Sequence, residues 1–399
     1  MKREMKYRRF GRTNLSMPVI SCGGMRYQHS WKDEEAAGIT SEGQANLEST
    51  IERALALGIN HIETARGYGT SEIQLGRILP RLPREKMIVQ TKVSPCADPK
   101  EFLATFNKSM SNLGLDYVDL LGLHGINNEE LLDFSLRPDG CLKVARQLQK
   151  EGRVRFIGFS THAVPRVILK AIESDEFDYA NLHWYFVNPL NWTAVLAATK
   201  RDMGVFIISP NDKGGKLQDK PAKMAELCAP LSPMQFNDLY CLARPEVHTL
   251  SCGAARPTDF DDHIEALKHY DRAAETIAPI ERRLREEMAR VLGQDWCERW
   301  NEGLPEYSEA PYQVNVIEIL RLWTYAKSLG LVEWGRMRYN LLGGNGGHWF
   351  PGEMADKIAD EQRLLAAVAK NPFSARLPRV LQEAHQMLFD EPKKRLSQS

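Results

Sequence analysis

The 399-residue sequence has neither a long apolar run nor an excess of charge of one sign. No stretch approaches the ~18 apolar residues that are needed to cross a bilayer, so we expect no membrane span. Its 52 basic and 52 acidic residues cancel, which argues against a nucleic-acid partner and against a polybasic membrane-binding surface. The charged start, MKREMKYRRF, is followed by no apolar segment, so we also expect no secretory signal.

Cysteine pairs at metal-binding or redox spacing are also missing. The seven cysteines are scattered along the chain, and no two stand in a CxxC pattern. This distribution excludes a disulfide framework, predicts no thiolate metal site and indicates a reducing, cytoplasmic environment. The histidines show no metal-ligand spacing, so we predict no metal. A GGNGG stretch near residue 345 lacks the GK[ST] of a phosphate-binding P-loop, and no GxGxxG follows the first predicted strand.

Short β-rich runs separated by helical patterns make up most of the chain. Most of these runs are continuously apolar, as expected for parallel strands that are buried on both faces. Eight strands that are each followed by a helix are typical of a (β/α)8 TIM barrel, an α/β fold. The eight runs are MPVISCGG, HIETA, MIVQTKV, YVDLLGLHG, VRFIGFS, YANLHWY, GVFIIS and VHTLSCG.

The sequence predicts two domains. Residues 1–275 would form the barrel, with the segment KYRRFGRTNLSM as a small hairpin that plugs its bottom. The long polar loop that follows the first strand, MRYQHSWKDEEAAGITSEGQ, is expected to line the pocket, because βα loops form the catalytic mouth of a barrel. Residues 276–399 show helical patterns without strand patterns, which predicts an all-helical extension.

Four titratable side chains fall at or just after the ends of three consecutive predicted strands. Glu63 and Tyr68 follow the second strand, Lys92 ends the third and His124 ends the fourth. Barrel enzymes carry their chemistry at this face, so these side chains are expected to converge. A phenol is a poor acid at neutral pH, and a nearby ammonium stabilises its phenolate. With a carboxylate to hold the ammonium, such a set suits proton donation to a carbonyl oxygen while hydride reaches the carbon.

These motifs resemble those of the aldo-keto reductase superfamily. The resemblance covers residues 6 to about 270 and lies in KYRRFGRTNLSMPVISCGG, LGINHIETARGYGTSEIQLG, VQTKV, DYVDLLGLHG and GFSTHA. It implies a reductase that uses NADPH or NADH, usually NADPH, on the carbonyl of an aldehyde or ketone. The family's catalytic tyrosine, lysine and histidine correspond to Tyr68, Lys92 and His124. Glu63 stands where the family has aspartate, one methylene shorter.

The resemblance also implies a cofactor site across the barrel mouth. Ser160 and Asn181 would bind the nicotinamide carboxamide, and Trp184 would stack on the nicotinamide ring. The segment Ser209–Lys216 would cover the pyrophosphate. The segment CGAARPTDFDDH would meet the adenosine, with Arg256 on a 2′-phosphate. The cofactor positions predicted in these two segments are Ser209, Asn211, Lys213, Gly253, Arg256 and Asp262.

The C-terminal extension resembles the ferredoxin-like tail of a subgroup of these reductases. The framing segments QVNVIEILRLW and RYNLLGGNGGHWFPG are present, but the cysteine clusters are not. Each [4Fe–4S] cluster needs four thiolates, and beyond Cys252 the chain has Cys297 alone. We therefore predict a tail without an iron–sulfur cluster.

Each assignment has a structural alternative. Tyr68 and Lys92 could form a surface ion pair, and Glu63 could be only a structural partner of Lys92. His124 could be a residue of the barrel rim that only hydrogen-bonds to the backbone. Trp184 could simply pack at the rim. The rival function is an NADPH-binding regulatory or interaction protein with little or no turnover. The sequence does not indicate which protein its partner would be. The substitution of glutamate for aspartate at position 63 leaves room for that alternative.

Overall fold

Eight parallel strands close into a barrel in the computed structural model, which describes residues 5–393. Each strand pairs with its neighbours in chain order, and the last strand closes the ring by pairing with the first. The predicted (β/α)8 barrel is confirmed, and every predicted run contains one strand. The barrel strands are β3 (Ile20–Gly23), β4 (His61–Glu63), β5 (Ile88–Val93), β6 (Val118–His124), β7 (Val154–Ser160), β8 (Tyr179–Leu182), β9 (Gly204–Ile207) and β10 (Thr249–Cys252).

A hairpin precedes the barrel, as the sequence predicts. Strands β1 (Tyr7–Arg9) and β2 (Ser16–Pro18) pair antiparallel, and the turn between them brings Phe10 into a buried cluster with residues from the starts of barrel strands. Gly11 adopts φ +52°, and a Cβ there would lie 2.4 Å from the backbone nitrogen of Gly204. The turn therefore requires glycine, because any side chain would collide with β9. The cluster is Phe10, Met17, Ile88, Leu120, Tyr179 and Phe206.

Helices follow the strands and continue past the barrel. Side chains cap two of the helix starts. Asp98 caps the helix that begins at Pro99 by accepting from the Lys100 N–H at 2.9 Å, and Ser232 and Gln235 form a reciprocal capping box. The helices are α1 (Ser41–Ala56), α2 (Ser71–Leu75), α3 (Pro99–Leu113), α4 (Glu129–Leu136), α5 (Cys141–Lys150), α6 (Pro165–Glu173), α7 (Trp192–Lys200), α8 (Ala222–Cys228), α9 (Pro233–Leu242), α10 (Asp261–Ala266), α11 (Ala273–Leu292), α12 (Gln294–Arg299), α13 (Val316–Leu329), α14 (Val332–Tyr339), α15 (Glu361–Ala367) and α16 (Leu377–Leu388).

The chain divides into two compact units. The first takes in the chain up to Tyr185, Pro189–Pro210 and Asp238–Asp271, and it holds all ten strands that occur in residues 5–393. The second takes in Phe186–Asn188, Asn211–Asn237 and the chain from Arg272 onward, and its regular elements are helical within the described residues. Nowhere in residues 5–393 is a helix long and apolar enough to span a bilayer.

Candidate active site

Lys92 and Glu63 form a buried ion pair at the carboxyl ends of neighbouring strands. The Lys92 ammonium contacts Oε1 of Glu63 and donates to the carbonyl of Thr64 at 2.7 Å. Lys92 is 1% exposed, and burial lowers its pKa well below that of a free lysine, while the Glu63 carboxylate acts in the opposite direction. Gly122 on β6 lies beside Lys92 in register, where a Cβ would lie 3.0 Å from Lys92 Cγ. Glycine at this position therefore leaves room for the lysine side chain.

The Tyr68 ring lies against this pair. Tyr68 follows β4 in the loop that leads to α2. Its hydroxyl lies 3.5 Å from Glu63 Oε1, a distance that is long for a hydrogen bond. The Lys92 ammonium is 4.7 Å from the centroid of the Tyr68 ring. One oxygen of Glu63 therefore faces both the ammonium and the phenol.

His124 completes the cluster from the end of β6. Its ring meets the Tyr68 ring edge to face, with centroids 5.7 Å apart and planes at 85°. Ser160, at the end of β7, is its register partner. The structure thus brings together the four side chains that the sequence singled out, from three consecutive strands.

The long loop after β3 is tied to the loop that carries Tyr68. The Thr70 N–H donates to the Ser30 carbonyl at 2.9 Å, and the His29 N–H donates to the Thr70 hydroxyl at 3.0 Å. Arg66, two residues before Tyr68, forms an ion pair with Asp33 of the long loop. The sequence reasoning missed Arg66, Asp33 and the carbonyl of Thr64. No spacing pattern indicated them, because their partners are distant in sequence or are backbone atoms.

Ser160 and Asn181 lie side by side on β7 and β8, in register with each other. The Ser160 hydroxyl accepts from the Gly125 N–H at 3.1 Å. Asn181 is fully buried, and within residues 5–393 neither its Nδ2 nor its Oδ1 has a hydrogen-bond partner. A buried amide without partners is costly, so this side chain is suited to a ligand that offers one donor and one acceptor.

Trp184 lies in a group of packed aromatic rings. It is 4% exposed and stacks on Tyr240, with ring centroids 5.1 Å apart and planes at 22°. Trp192 packs against it at 4.5 Å. Such packing is the structural alternative given above for Trp184. The stacking of Trp184 on a nicotinamide ring stays a prediction.

The predicted pyrophosphate segment begins in the first unit and continues in the second. Ser209 adopts a left-handed φ of +52°, a strained conformation for a residue other than glycine and one that is found at functional sites. In the second unit, the Asn211 carbonyl accepts from the Leu217 N–H at 3.1 Å and the Lys213 carbonyl accepts from Trp334 Nε1 at 3.0 Å. These two bonds hold the backbone of this segment in a defined shape.

The predicted adenosine segment follows β10. Gly253 and Arg256 are exposed, and Asp262 is half-buried in the first turn of α10. Asp259 organises the loop, because its carboxylate accepts from the Ala255 N–H at 2.8 Å and from Arg256 Nε at 3.1 Å. The Arg256 guanidinium therefore stands at the surface in a fixed loop. Among residues 5–393, no group of three or more His, Cys, Asp or Glu side chains could hold a metal ion.

Comparison with known proteins decides the family. The model of the Aldo/keto reductase family matches residues 19–276, more than half of the chain. The chain belongs to this family. The chain is 33% identical over 132 residues to the NADH-specific methylglyoxal reductase of Escherichia coli K12, over 27% of this chain and 39% of that protein. With the oxidoreductase YqkF of Bacillus subtilis it shares 23% identity over 314 residues, covering 69% of this chain and 96% of YqkF.

The alignments with the first relatives are partial. The chain spans 37 to 44% of the length of the methylglyoxal reductase, a mycobacterial aldo-keto reductase and the L-galactose dehydrogenase of Arabidopsis thaliana. Solved aldo/keto reductases agree in fold at low identity. AKR11C1 from Bacillus halodurans superposes with a TM-score of 0.56 at 20% identity, covering 68% of this chain and 96% of that one. An enzyme from Klebsiella pneumoniae in complex with NADPH gives 0.54 at 16% identity, covering 68% and 94%.

Proposed function

We propose that this aldo/keto reductase transfers hydride from NADPH to the carbonyl of an aldehyde or ketone. The supporting observation is the cluster of Tyr68, Lys92, Glu63 and His124 at the carboxyl ends of three consecutive strands. A phenol beside an ammonium and an imidazole is a proton donor whose conjugate base is stabilised where it forms.

Each side chain has a distinct part in the proposed reaction. Tyr68 donates its hydroxyl proton to the carbonyl oxygen, and His124, edge-on to the ring, orients that oxygen by a hydrogen bond. The ammonium of Lys92 stabilises the negative charge that is left on Tyr68. Glu63 and the Thr64 carbonyl hold the ammonium in place. When bound, NADPH supplies the hydride that reduces the carbonyl carbon.

The residues present fit a nicotinamide cofactor. A carboxamide offers an N–H donor group and a carbonyl acceptor. Among the described residues, the buried Asn181 amide has neither a donor for its Oδ1 nor an acceptor for its Nδ2, and a carboxamide could supply both. The Ser160 hydroxyl lies next to it in register and can also donate. Asn181 and Ser160 would therefore hold the carboxamide and fix which way the ring faces.

The choice of NADPH over NADH depends on Arg256. Its side chain is 72% exposed, and its Nε is already bonded to Asp259, which leaves the two terminal nitrogens of the guanidinium to meet a 2′-phosphate. One relative is named as NADH-specific, so both cofactors belong in the test. We expect Arg256→Ala to weaken the binding of NADPH far more than that of NADH.

A second candidate function is an NADPH-binding regulatory or interaction protein with little or no turnover. The observation that favours it is the position of Glu63 Oε1, which faces the Tyr68 hydroxyl as well as Lys92. A carboxylate next to the hydroxyl opposes the phenolate, because two negative charges would stand side by side. This arrangement would slow proton donation without affecting the cofactor.

One experiment separates the two functions. NADPH and NADH are titrated by fluorescence, and turnover is measured with 4-nitrobenzaldehyde, for the wild type and for Tyr68→Phe. Tyr117→Phe, directly before β6 and so at the opposite end of the barrel from His124, is the matched control and should keep its turnover. Cofactor binding with Tyr68-dependent turnover supports the reductase, whereas tight binding with no such turnover supports the regulatory protein.

A further inference from the structure

Two cysteines that are 45 residues apart in the sequence lie in direct contact. Cys96 lies in the loop that follows β5, and Cys141 is the first residue of α5. The Cys96 N–H donates to Cys141 Sγ at 3.4 Å, and the Cys141 thiol donates to the Cys96 carbonyl at 3.4 Å. One sulfur therefore lies against both backbone polar atoms of the other cysteine.

The loop that carries Cys96 is fixed in place by further contacts. The guanidinium of Arg137, at the end of α4, donates to the Ala97 carbonyl. The Cys96 thiol donates to the carbonyl of Asp98 at 3.2 Å, and Asp98 caps α3. Because a backbone nitrogen is about 1.5 Å from its own Cα, the contact at 3.4 Å holds Cys141 Sγ within ~4.9 Å of the Cys96 Cα.

The pair combines one accessible thiol with one buried thiol. Cys96 is half-buried, and its bond to the Asp98 carbonyl lies at the surface, whereas Cys141 is fully buried. Cys297 on α12 is also half-buried, but no other cysteine of residues 5–393 is in hydrogen-bond contact with it. A dissolved oxidant can therefore reach Cys96 directly, and it can oxidise Cys141 only through Cys96.

We propose that Cys96 and Cys141 are a reversible disulfide site that small-molecule disulfides oxidise. The Cys96 sulfur attacks one sulfur of the oxidant, so that a mixed disulfide forms, the oxidant's S–S bond breaks and one thiol leaves with the Cys96 proton. The Cys141 sulfur then attacks the Cys96 sulfur, and a second thiol leaves with the Cys141 proton. The two cysteines lose two electrons, and the small disulfide is reduced to two thiols. An excess of thiol reverses both steps, as expected of a redox-sensing disulfide in a reducing compartment.

The electrostatics of the pair support this order of attack. Burial raises the pKa of Cys96, but the hydrogen bond to Cys141 acts in the opposite direction. Burial raises the pKa of Cys141 to about 11. The thiolate is the nucleophile, so Cys96 attacks first, and Cys141 follows when its neighbour already carries the mixed disulfide.

The bond is compatible with the folded protein. Disulfides accept Cα separations of about 4.4–6.8 Å, and Cys141 Sγ already lies against the Cys96 backbone. Rotation about the Cα–Cβ bond of Cys96 would then join the sulfurs while α5 stays in place. The cross-link closes a segment of 45 residues, which restricts the unfolded chain. Oxidised protein should therefore unfold at a higher urea concentration than reduced protein.

The site is tested on the intact chain with 2-hydroxyethyl disulfide as the oxidant. The remaining thiols are blocked with N-ethylmaleimide, and the peptides are mapped by mass spectrometry without reduction. We expect the Cys96–Cys141 disulfide to be at least about tenfold more abundant than a mixed disulfide at Cys96, because the second thiol is held beside the first. Cys297 is the matched control and should stop at the mixed disulfide.

Two variants separate the steps. Cys141→Ser should leave Cys96 as the mixed disulfide, and Cys96→Ser should leave Cys141 unmodified. The proposal is overturned, whether or not the variants fold, if the wild type forms no Cys96–Cys141 disulfide at an oxidant concentration that modifies every cysteine of the urea-unfolded chain. A mixed disulfide that persists at Cys96 in the wild type overturns it as well. Oxidised protein that carries the disulfide but is no more resistant to urea than reduced protein would show that the native geometry does not fit the bond.

Discussion

Replacing Glu63 by aspartate should speed the reaction, although the substitution is inside the catalytic cluster. The Glu63 carboxylate oxygen lies 3.5 Å from the Tyr68 hydroxyl, where it opposes the negative charge that forms as the proton leaves. Aspartate is shorter by one methylene, which retracts the carboxylate by about 1.5 Å. The ammonium keeps its bond of 2.7 Å to the Thr64 carbonyl, so Lys92 should stay in place.

The magnitude follows from the distances. At an effective dielectric constant of about 20, a charge on the Tyr68 oxygen costs ~4.7 kcal/mol against a carboxylate at 3.5 Å and ~3.3 kcal/mol against one at ~5 Å. The Lys92 ammonium lies against the Tyr68 ring and attracts the same charge in both forms, so the difference between them comes from the carboxylate. The gain of ~1.4 kcal/mol corresponds to about a tenfold faster proton transfer.

The assay is kcat for 4-nitrobenzaldehyde at saturating NADPH, with a solvent isotope effect to show that proton transfer contributes to the rate. Glu63→Gln is the control for shape, because it keeps the length and removes the charge. It should lose about 3–5 kcal/mol of unfolding free energy in urea, since Lys92 would be buried without its counter-ion. An aspartate variant that is no faster than the wild type, yet equally stable, would refute the electrostatic reasoning.

Three further predictions concern other residues of the barrel. Tyr68→Phe should bind NADPH as the wild type does and lose about 10²- to 10⁴-fold in turnover, as measured by kcat and by titration. Asn181→Ala should raise the NADPH dissociation constant about 5- to 100-fold, because a hydrogen-bonding pair to the ligand is lost. Burial lowers the pKa of His61 to about 3, so the unfolded chain binds one more proton below about pH 6.5. Stability is therefore lost as the pH falls, by ~1.4 kcal/mol per unit. Urea unfolding at pH 7 and pH 5 should show this loss in the wild type and not in His61→Gln.

The sequence predicted the barrel well because the signal for each strand is local. Runs such as MIVQTKV are apolar throughout and bounded by turn residues, and each contains a strand in the structure. The convergence of Lys92 and His124 was also predictable, since the ends of parallel strands meet on one face. These two inferences need no knowledge of how distant segments pack.

Other features depend on contacts that no local pattern records. The Arg66–Asp33 ion pair joins two loops, and its partners show no spacing rule. Trp184 follows β8 as expected, but its neighbours Tyr240 and Trp192 come from separate helices and bury the ring. The contact between Glu63 Oε1 and the Tyr68 hydroxyl depends on side-chain length and loop path together. In each case the outcome is set by tertiary packing.

The hairpin at the bottom of the barrel has a consequence for synthesis on the ribosome. Phe10 packs against Tyr179 and Phe206, and β3 finds its second neighbour only when β10 has been made. Because translation delivers the N-terminus first, β3 must wait for more than two hundred further residues before it can pair with β10, and Phe10 must wait for Phe206. Nascent chains arrested before Thr249 should therefore leave the hairpin sensitive to protease, and release past Cys252 should protect it.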